Sequence, residues 1–176
     1  IFLEPSFPSG HAAFAAALKW GTGEDTFGLI VKRKTADESV TSSTVLQDDD
    51  HLTFAIAANE EWVAEFHIHT QSAMNVTGIK AAITTPTGAT LQVSGALSTL
   101  LLGDSIGLTS NTSGSVAINQ TAASFSVAAG ASMRVSIWVL NGANAGTVTL
   151  QWAQGTSSGT ALIFAKGSFM VANRVA

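Results

Sequence analysis

The sequence predicts an all-β fold: an antiparallel β-sandwich of jelly-roll type, with an N-terminal arm carrying a short helix. Three observations predict it. From Thr35 onward, apolar residues alternate with polar ones in run after run. Turn-forming clusters punctuate those runs at short spacing. No second helical pattern follows the one near the N-terminus. Period two places one residue set on a core face and the other outward, and many short alternating runs between turns suit a sandwich or jelly roll.

Residues 1–34 form the arm and residues 35–176 the β domain. The arm holds two of the three prolines, the turn Gly21-Thr22-Gly23 and the basic cluster Lys32-Arg33-Lys34. His11–Trp20 reads as its helix, with Ser9 positioned to cap the start and Gly21 to end it. A ten-residue helix is marginal alone, so it must dock on its own domain, a neighbour or a larger assembly. Phe14 and Leu18, four apart on one face, are the expected assembly contacts, with Trp20 beside them.

In the β domain, Leu52, Phe54 and Ile56 alternate with Thr53, Ala55 and Ala57. Trp62, Ala64, Phe66 and Ile68 alternate with Glu61, Val63, Glu65, His67 and His69. Val148, Leu150 and Trp152 do the same against Thr147, Thr149 and Gln151. Met133–Leu140 turns apolar on both faces near its end, which suits a central strand or a subunit contact. Residues 105–132 are rich in Ser, Thr, Ala, Asn and Gly, but Val116, Ile118, Phe125 and Val127 keep a strand pattern. Turns are expected at Asp48-Asp49-Asp50, Ala58-Asn59, Pro86-Thr87-Gly88, Gly103-Asp104, Asn111 to Gly114, Ala129-Gly130, Asn141-Gly142, Ser157-Ser158-Gly159 and Lys166-Gly167.

Composition narrows the function classes. The chain has 176 residues, enough for one domain that buries about two-thirds of its surface. Charged residues are 11% of the chain, against a usual share of about 25%. A surface this neutral is either solvated by Ser, Thr, Asn, Gln and Gly or covered by partners. Net charge is −4, which argues against nucleic acid as a partner. There are no cysteines, hence no disulfides and no thiolate chemistry. No apolar run approaches the ~20 residues of a membrane span. Ala12–Leu18 is far shorter and lacks the basic flank of a signal peptide.

Two resemblances follow from particular residues. Pro8-Ser9-Gly10-His11 resembles the second signature of the PAP2 family, the lipid phosphate phosphatases and vanadium haloperoxidases, where the histidine assists leaving-group departure. That family needs two further signatures converging on one phosphate. None of the three arginines is followed by Pro, and none follows Ser. No downstream histidine has the required Ser-Arg before it, so the phosphatase reading is rejected. The second resemblance covers about Thr35 to Val175. The segments TADESVTSSTVLQDDDHLTFAIAANEEWVAEFHI, TTPTGAT and LQWAQGTSSGTALIFAKGSFMVANRV resemble small tailed-bacteriophage virion structural proteins with a jelly-roll domain, of the capsid-decoration, head-fibre or tail-component type. It implies a virion location and a homo-oligomer, often a trimer, docked on other virion proteins through an N-terminal arm. It implies no cofactor and no enzymatic activity.

Several residue clusters could carry chemistry. His67 and His69, at i and i+2, share a strand face as metal ligands do, with Glu65 beside them. A cupin-like site would have a carboxylate where Ala73 stands and Gly where Glu61 stands. The expected use is a polar strand face, without metal. Asp48-Asp49-Asp50 could ligate calcium but lacks the spaced acids and glycine of an EF-hand, and reads as a solvated turn. Asn75, Asn111 and Asn119 begin glycosylation sequons that a phage origin would leave inert. No Ser-His-Asp set, nucleophile elbow or phosphate loop is recognisable. Adjacent Glu60 and Glu61 would face opposite sides of a strand, poor geometry for a two-carboxylate glycosidase. The rival from another class is a receptor- or glycan-binding fibre tip. Of Trp20, Trp62, Trp138 and Trp152, Trp62 and Trp152 fall on core faces, and the absence of Tyr weighs against it.

Overall fold

The computed structural model describes residues 28–71, 77–98, 105–106, 115–120 and 132–176. Among them, twelve strands carry the fold: β1 Leu29–Arg33, β2 Glu38–Val40, β3 Gln47–Ile56, β4 Glu61–His69, β5 Ile79–Thr84, β6 Thr90–Ser98, β7 Ser105–Ile106, β8 Ser115–Gln120, β9 Ser132–Leu140, β10 Gly146–Ala153, β11 Leu162–Phe164 and β12 Phe169–Arg174. The helix expected at His11–Trp20, with Phe14, Leu18 and Trp20, lies outside the described residues. So do the turns expected at Gly103-Asp104, Asn111 to Gly114 and Ala129-Gly130.

The strands form an antiparallel sandwich. One sheet has six strands in the order β1-β12-β4-β9-β6-β7, another has four in the order β3-β10-β5-β8, and β2 pairs with β11 in a small third sheet. Every pairing is antiparallel. Four of them are nested in sequence: β3 with β10, β4 with β9, β5 with β8 and β6 with β7. The chain therefore runs as one long hairpin rolled up, so that its outer pairs also meet β5, β6 and β12 edge to edge.

The alternation in the sequence is what fills the space between the sheets. Trp62, Ala64, Phe66 and Ile68 of β4 are buried, as are Met133, Val135, Ile137 and Val139 of β9. They face Leu52, Phe54 and Ile56 of β3, Ile79, Ala81 and Ile83 of β5, and Val148, Leu150 and Trp152 of β10, all in one apolar cluster. Each large side chain so buried contributes about 1.5–3 kcal/mol. Aromatic contacts tie the layers: Phe54 meets Trp62 at 5.4 Å between ring centres, and Trp152 stacks on Phe164 of β11 at 4.0 Å. Met133–Leu140 is a central strand as expected, paired with β4 on one side and β6 on the other.

Three of the expected turns carry the backbone conformation their residues allow. Asn59 (φ 62°), Gly88 (φ 88°) and Gly167 (φ 93°) take left-handed conformations between strands. Gly142 is needed for close approach: a Cβ there would stand 2.9 Å from the Gly88 carbonyl oxygen. The Gln154 side chain, fully buried, ties two loops together. Its carbonyl accepts from the Ser43 and Ser158 amides, and its NH₂ donates to the Val40, Ser158 and Thr160 carbonyls.

The end of the arm belongs structurally to the sandwich. β1 forms an edge strand on β12, with Leu29 opposite Asn173 and Arg33 opposite Phe169. Residues 29–34 thus pack on the domain itself, one of the destinations expected for the arm.

Candidate functional site

Among the described residues, two polar clusters bear on function. The first lies where β3 begins. The Lys34 side chain is fully buried, and its Nζ donates to Asp49 Oδ2 and Glu38 Oε2, both at 2.6 Å. Asp49 Oδ1 accepts from the backbone amides of His51 at 3.0 Å and Leu52 at 2.9 Å. Glu38 Oε1 accepts from Gln47 Nε2 at 2.8 Å. His51 meets Thr35 Oγ1 through Nε2 at 3.0 Å.

Glu38, Asp49 and His51 present one ligand atom each within 4.8 Å of one another, a spacing a metal could bridge. The Lys34 ammonium, however, already sits on both carboxylates. A metal would have to displace the Lys34 ammonium and leave it buried without its two acceptors. The arrangement is a buried ion pair that pins β3 to the segment after β1.

This corrects the reading of Asp48-Asp49-Asp50 as a solvated turn. The three acids lie within β3, and Asp49 is buried. Their run coincides with a bulge: Thr53 pairs with Thr149, but Asp48 pairs with Gln151, so four β3 residues oppose Leu150 alone. The signal that could have found it was the opposite charge of Lys32-Arg33-Lys34, fifteen residues upstream of the acids.

The second place is the outward face of the six-stranded sheet. Strand register arranges it in rungs. Leu29, Asn173, Val63, Trp138 and Gln92 form one, and Val31, Val171, Glu65, Ser136 and Ser94 form the next. A third carries Arg33, Phe169, His67 and Arg134. The middle rung is built of smaller side chains towards β9 and β6, and there the face sinks into a depression of about 470 Å³ bordered by Trp138. Towards β1 the face is apolar, with Leu29 63% and Val31 60% exposed.

His67, His69 and Glu65 do share this face, as their spacing requires, but they are not gathered around one point. His69 Nδ1 pairs with Ser132 Oγ at 3.0 Å. The His67 ring stacks on Phe169 at 4.5 Å between centres, nearly parallel. Glu65 is held by Arg134, and its second oxygen stands 3.4 Å from His67 Nε2. The Arg134 hydrogen bond holds the Glu65 carboxyl below its usual range, against partial desolvation, and the Arg134 charge and His67 add to the effect.

Trp62 and Trp152 are buried, as expected from their strand faces. Trp138 is the residue whose role the sequence left open. It sits among apolar neighbours in Ile137-Trp138-Val139-Leu140, yet register turns it outward, half-buried, with Nε1 donating to Glu61 Oε1 at 2.6 Å. Asn119 lies in β8, while Asn75 and Asn111 fall outside the described residues.

No family model matches the chain, and no curated protein matches it. Among solved structures, a chain from a structure of infectious bursal disease virus, Gt strain, is similar over 85% of this chain, at 13% identity and a TM-score of 0.20. The matched chain is much longer, and this one covers 39% of it. A TM-score so low carries no weight for fold or function.

Proposed function

We propose that this chain is a virion structural protein, a β-sandwich of jelly-roll type that works by assembly rather than catalysis. It packs against copies of itself and against other virion proteins. The observation that carries the reading is the apolar strip on the outer sheet face at the β1 edge. Leu29 and Val31 are exposed there beside Val171 and Val63, and no described residue covers them. The strip lies on the strand that ends the arm, so a docked arm and a sealed strip would act together. Exposed apolar strips of this kind mark contact surfaces.

Two further features support it. The nested pairing of β3–β6 with β7–β10, four strands facing four with β1 and β12 added beyond β4, supports the jelly-roll reading. The resemblance of Thr35–Val175 to phage virion proteins points to the same architecture.

The arm supplies the test. A deletion through residue 34 would remove β1 and Lys34, the cation that neutralises buried Asp49. A deletion of residues 1–27 spares both. The shortened protein is expected to keep the β-sheet circular dichroism of the full chain and to lose attachment to particles, read by mass spectrometry of purified virions. Normal incorporation of the shortened chain would overturn the docking role. Absence of the full chain from purified virions would overturn the virion reading itself.

A further inference from the structure

We propose that the depression on the outer face of the six-stranded sheet is a binding site for a neutral saccharide. Its shape follows from residue size. The Ser94–Ser136 row lies between the Trp138–Gln92 row and the row carrying Arg134 and His67. Beside the larger Trp138 and Gln92, the small Ser94 and Ser136 leave a concavity of about 470 Å³, within the range of about 300–1,000 Å³ typical of small-molecule sites.

Its chemistry selects the ligand class. Gln92, Ser94, Ser136 and Asn173 line the depression. None of their side chains hydrogen-bonds to another described residue. Two amides and two hydroxyls, each able to donate and accept, are thus uncommitted around one hollow. An apolar ligand would match only Val63, Val171 and Trp138 and leave these polar groups unused. Glu65 is paired with Arg134 and approached by His67, so neither an anion nor a cation finds an uncompensated charge there. The interior of a protein–protein interface is depleted of charge, whereas this hollow holds Glu65. A sugar fits all of these terms. Its hydroxyls match donors and acceptors, and its C–H faces match Trp138 and Val63.

The hollow and the apolar strip share Val63 and Val171, so the two roles are separated by variants away from that border, Leu29→Asp with Val31→Asp on the strip and Ser136→Leu or Gln92→Ala in the hollow. The test is a glycan array probed with the full chain, with positive hits confirmed by calorimetry using the same neutral oligosaccharides. Wild type is expected to bind at least one neutral oligosaccharide. Ser136→Leu, which fills the depression, should abolish that binding, and Trp138→Ala should weaken it about tenfold or more. Gln92→Ala, on the exposed rim, should weaken it without altering the circular dichroism spectrum. Absence of neutral-glycan binding by wild type would overturn the proposal, as would binding confined to anionic glycans or binding unchanged in Ser136→Leu. Native mass of the same samples reads assembly independently. If Ser136→Leu changed the oligomer, the hollow would be a subunit contact and the proposal would fall.

Discussion

At the scale of single residues, the most consequential side chain is Lys34. It is fully buried against two carboxylates, so removing it leaves charge without a partner in the interior. Lys34→Ala is expected to destabilise the domain by about 3–5 kcal/mol in urea unfolding. Lys34→Met combined with Asp49→Asn should recover more than half of that loss, because the asparagine keeps an acceptor for the His51 and Leu52 amides. A single-variant loss below about 1 kcal/mol would show that the pair is not sealed from water. Glu60 supplies a pH test. Burial pushes its carboxyl up, but hydrogen bonds from the Ala57 amide, Trp62 Nε1 and Arg174 outweigh it and leave the group below its ordinary value of 4.5. A carboxyl with a depressed folded-state value stabilises the fold above its unfolded value and loses that contribution as pH falls through the folded one. Wild type should therefore exceed Glu60→Gln in stability at pH 7, and the gap should close below about pH 4.5. A gap that stayed constant into acid would contradict the assignment. The role of Glu60 was not legible from sequence, and that of Lys34 only as a charge opposite to the acids of β3. Lys34 sits in a run of three basic residues that looks solvated, and only the fold shows which of the three turns inward.

At the scale of elements, legibility tracked periodicity. β3, β4 and β10 were readable because their buried residues alternate without interruption from Leu52 to Ile56, Trp62 to Ile68 and Val148 to Trp152. β9 was readable as central because its end is apolar on both faces. β1 was not, since Leu29 and Val31 face outward and only Ile30 packs on the core, the reverse of the burial expected for an apolar run. The acids of β3 were missed for a related reason. A bulge breaks the period, and three adjacent aspartates suit a turn more often than a strand. The same limits applied to the outer face. Spacing placed His67 and His69 on one side of β4, but the partners that engage them, Phe169 and Ser132, come from β12 and β9 and are fixed only by register. Trp138 belongs to this group as well: its neighbours in sequence suggested burial, and its neighbours across the sheet decide its exposure.

At the scale of the whole molecule, the sandwich class followed from pattern and composition, while the strand order did not. Nested pairing joins β3 to β10 and β4 to β9 across most of the domain, contacts that no local signal announces. Such a chain path leaves the outer face of each sheet outside the core, and on the six-stranded sheet that face carries an apolar strip on the strand where the arm ends. Low charge overall makes the strip harder to keep apart from other copies. Native mass spectrometry with light scattering reads the proposed self-association of this domain. The expected result is an assembly whose mass is a whole multiple of 18.0 kDa, reduced by Leu29→Asp with Val31→Asp while the circular dichroism stays that of a β protein. A wild-type chain that stayed at 18.0 kDa at every concentration would contradict it.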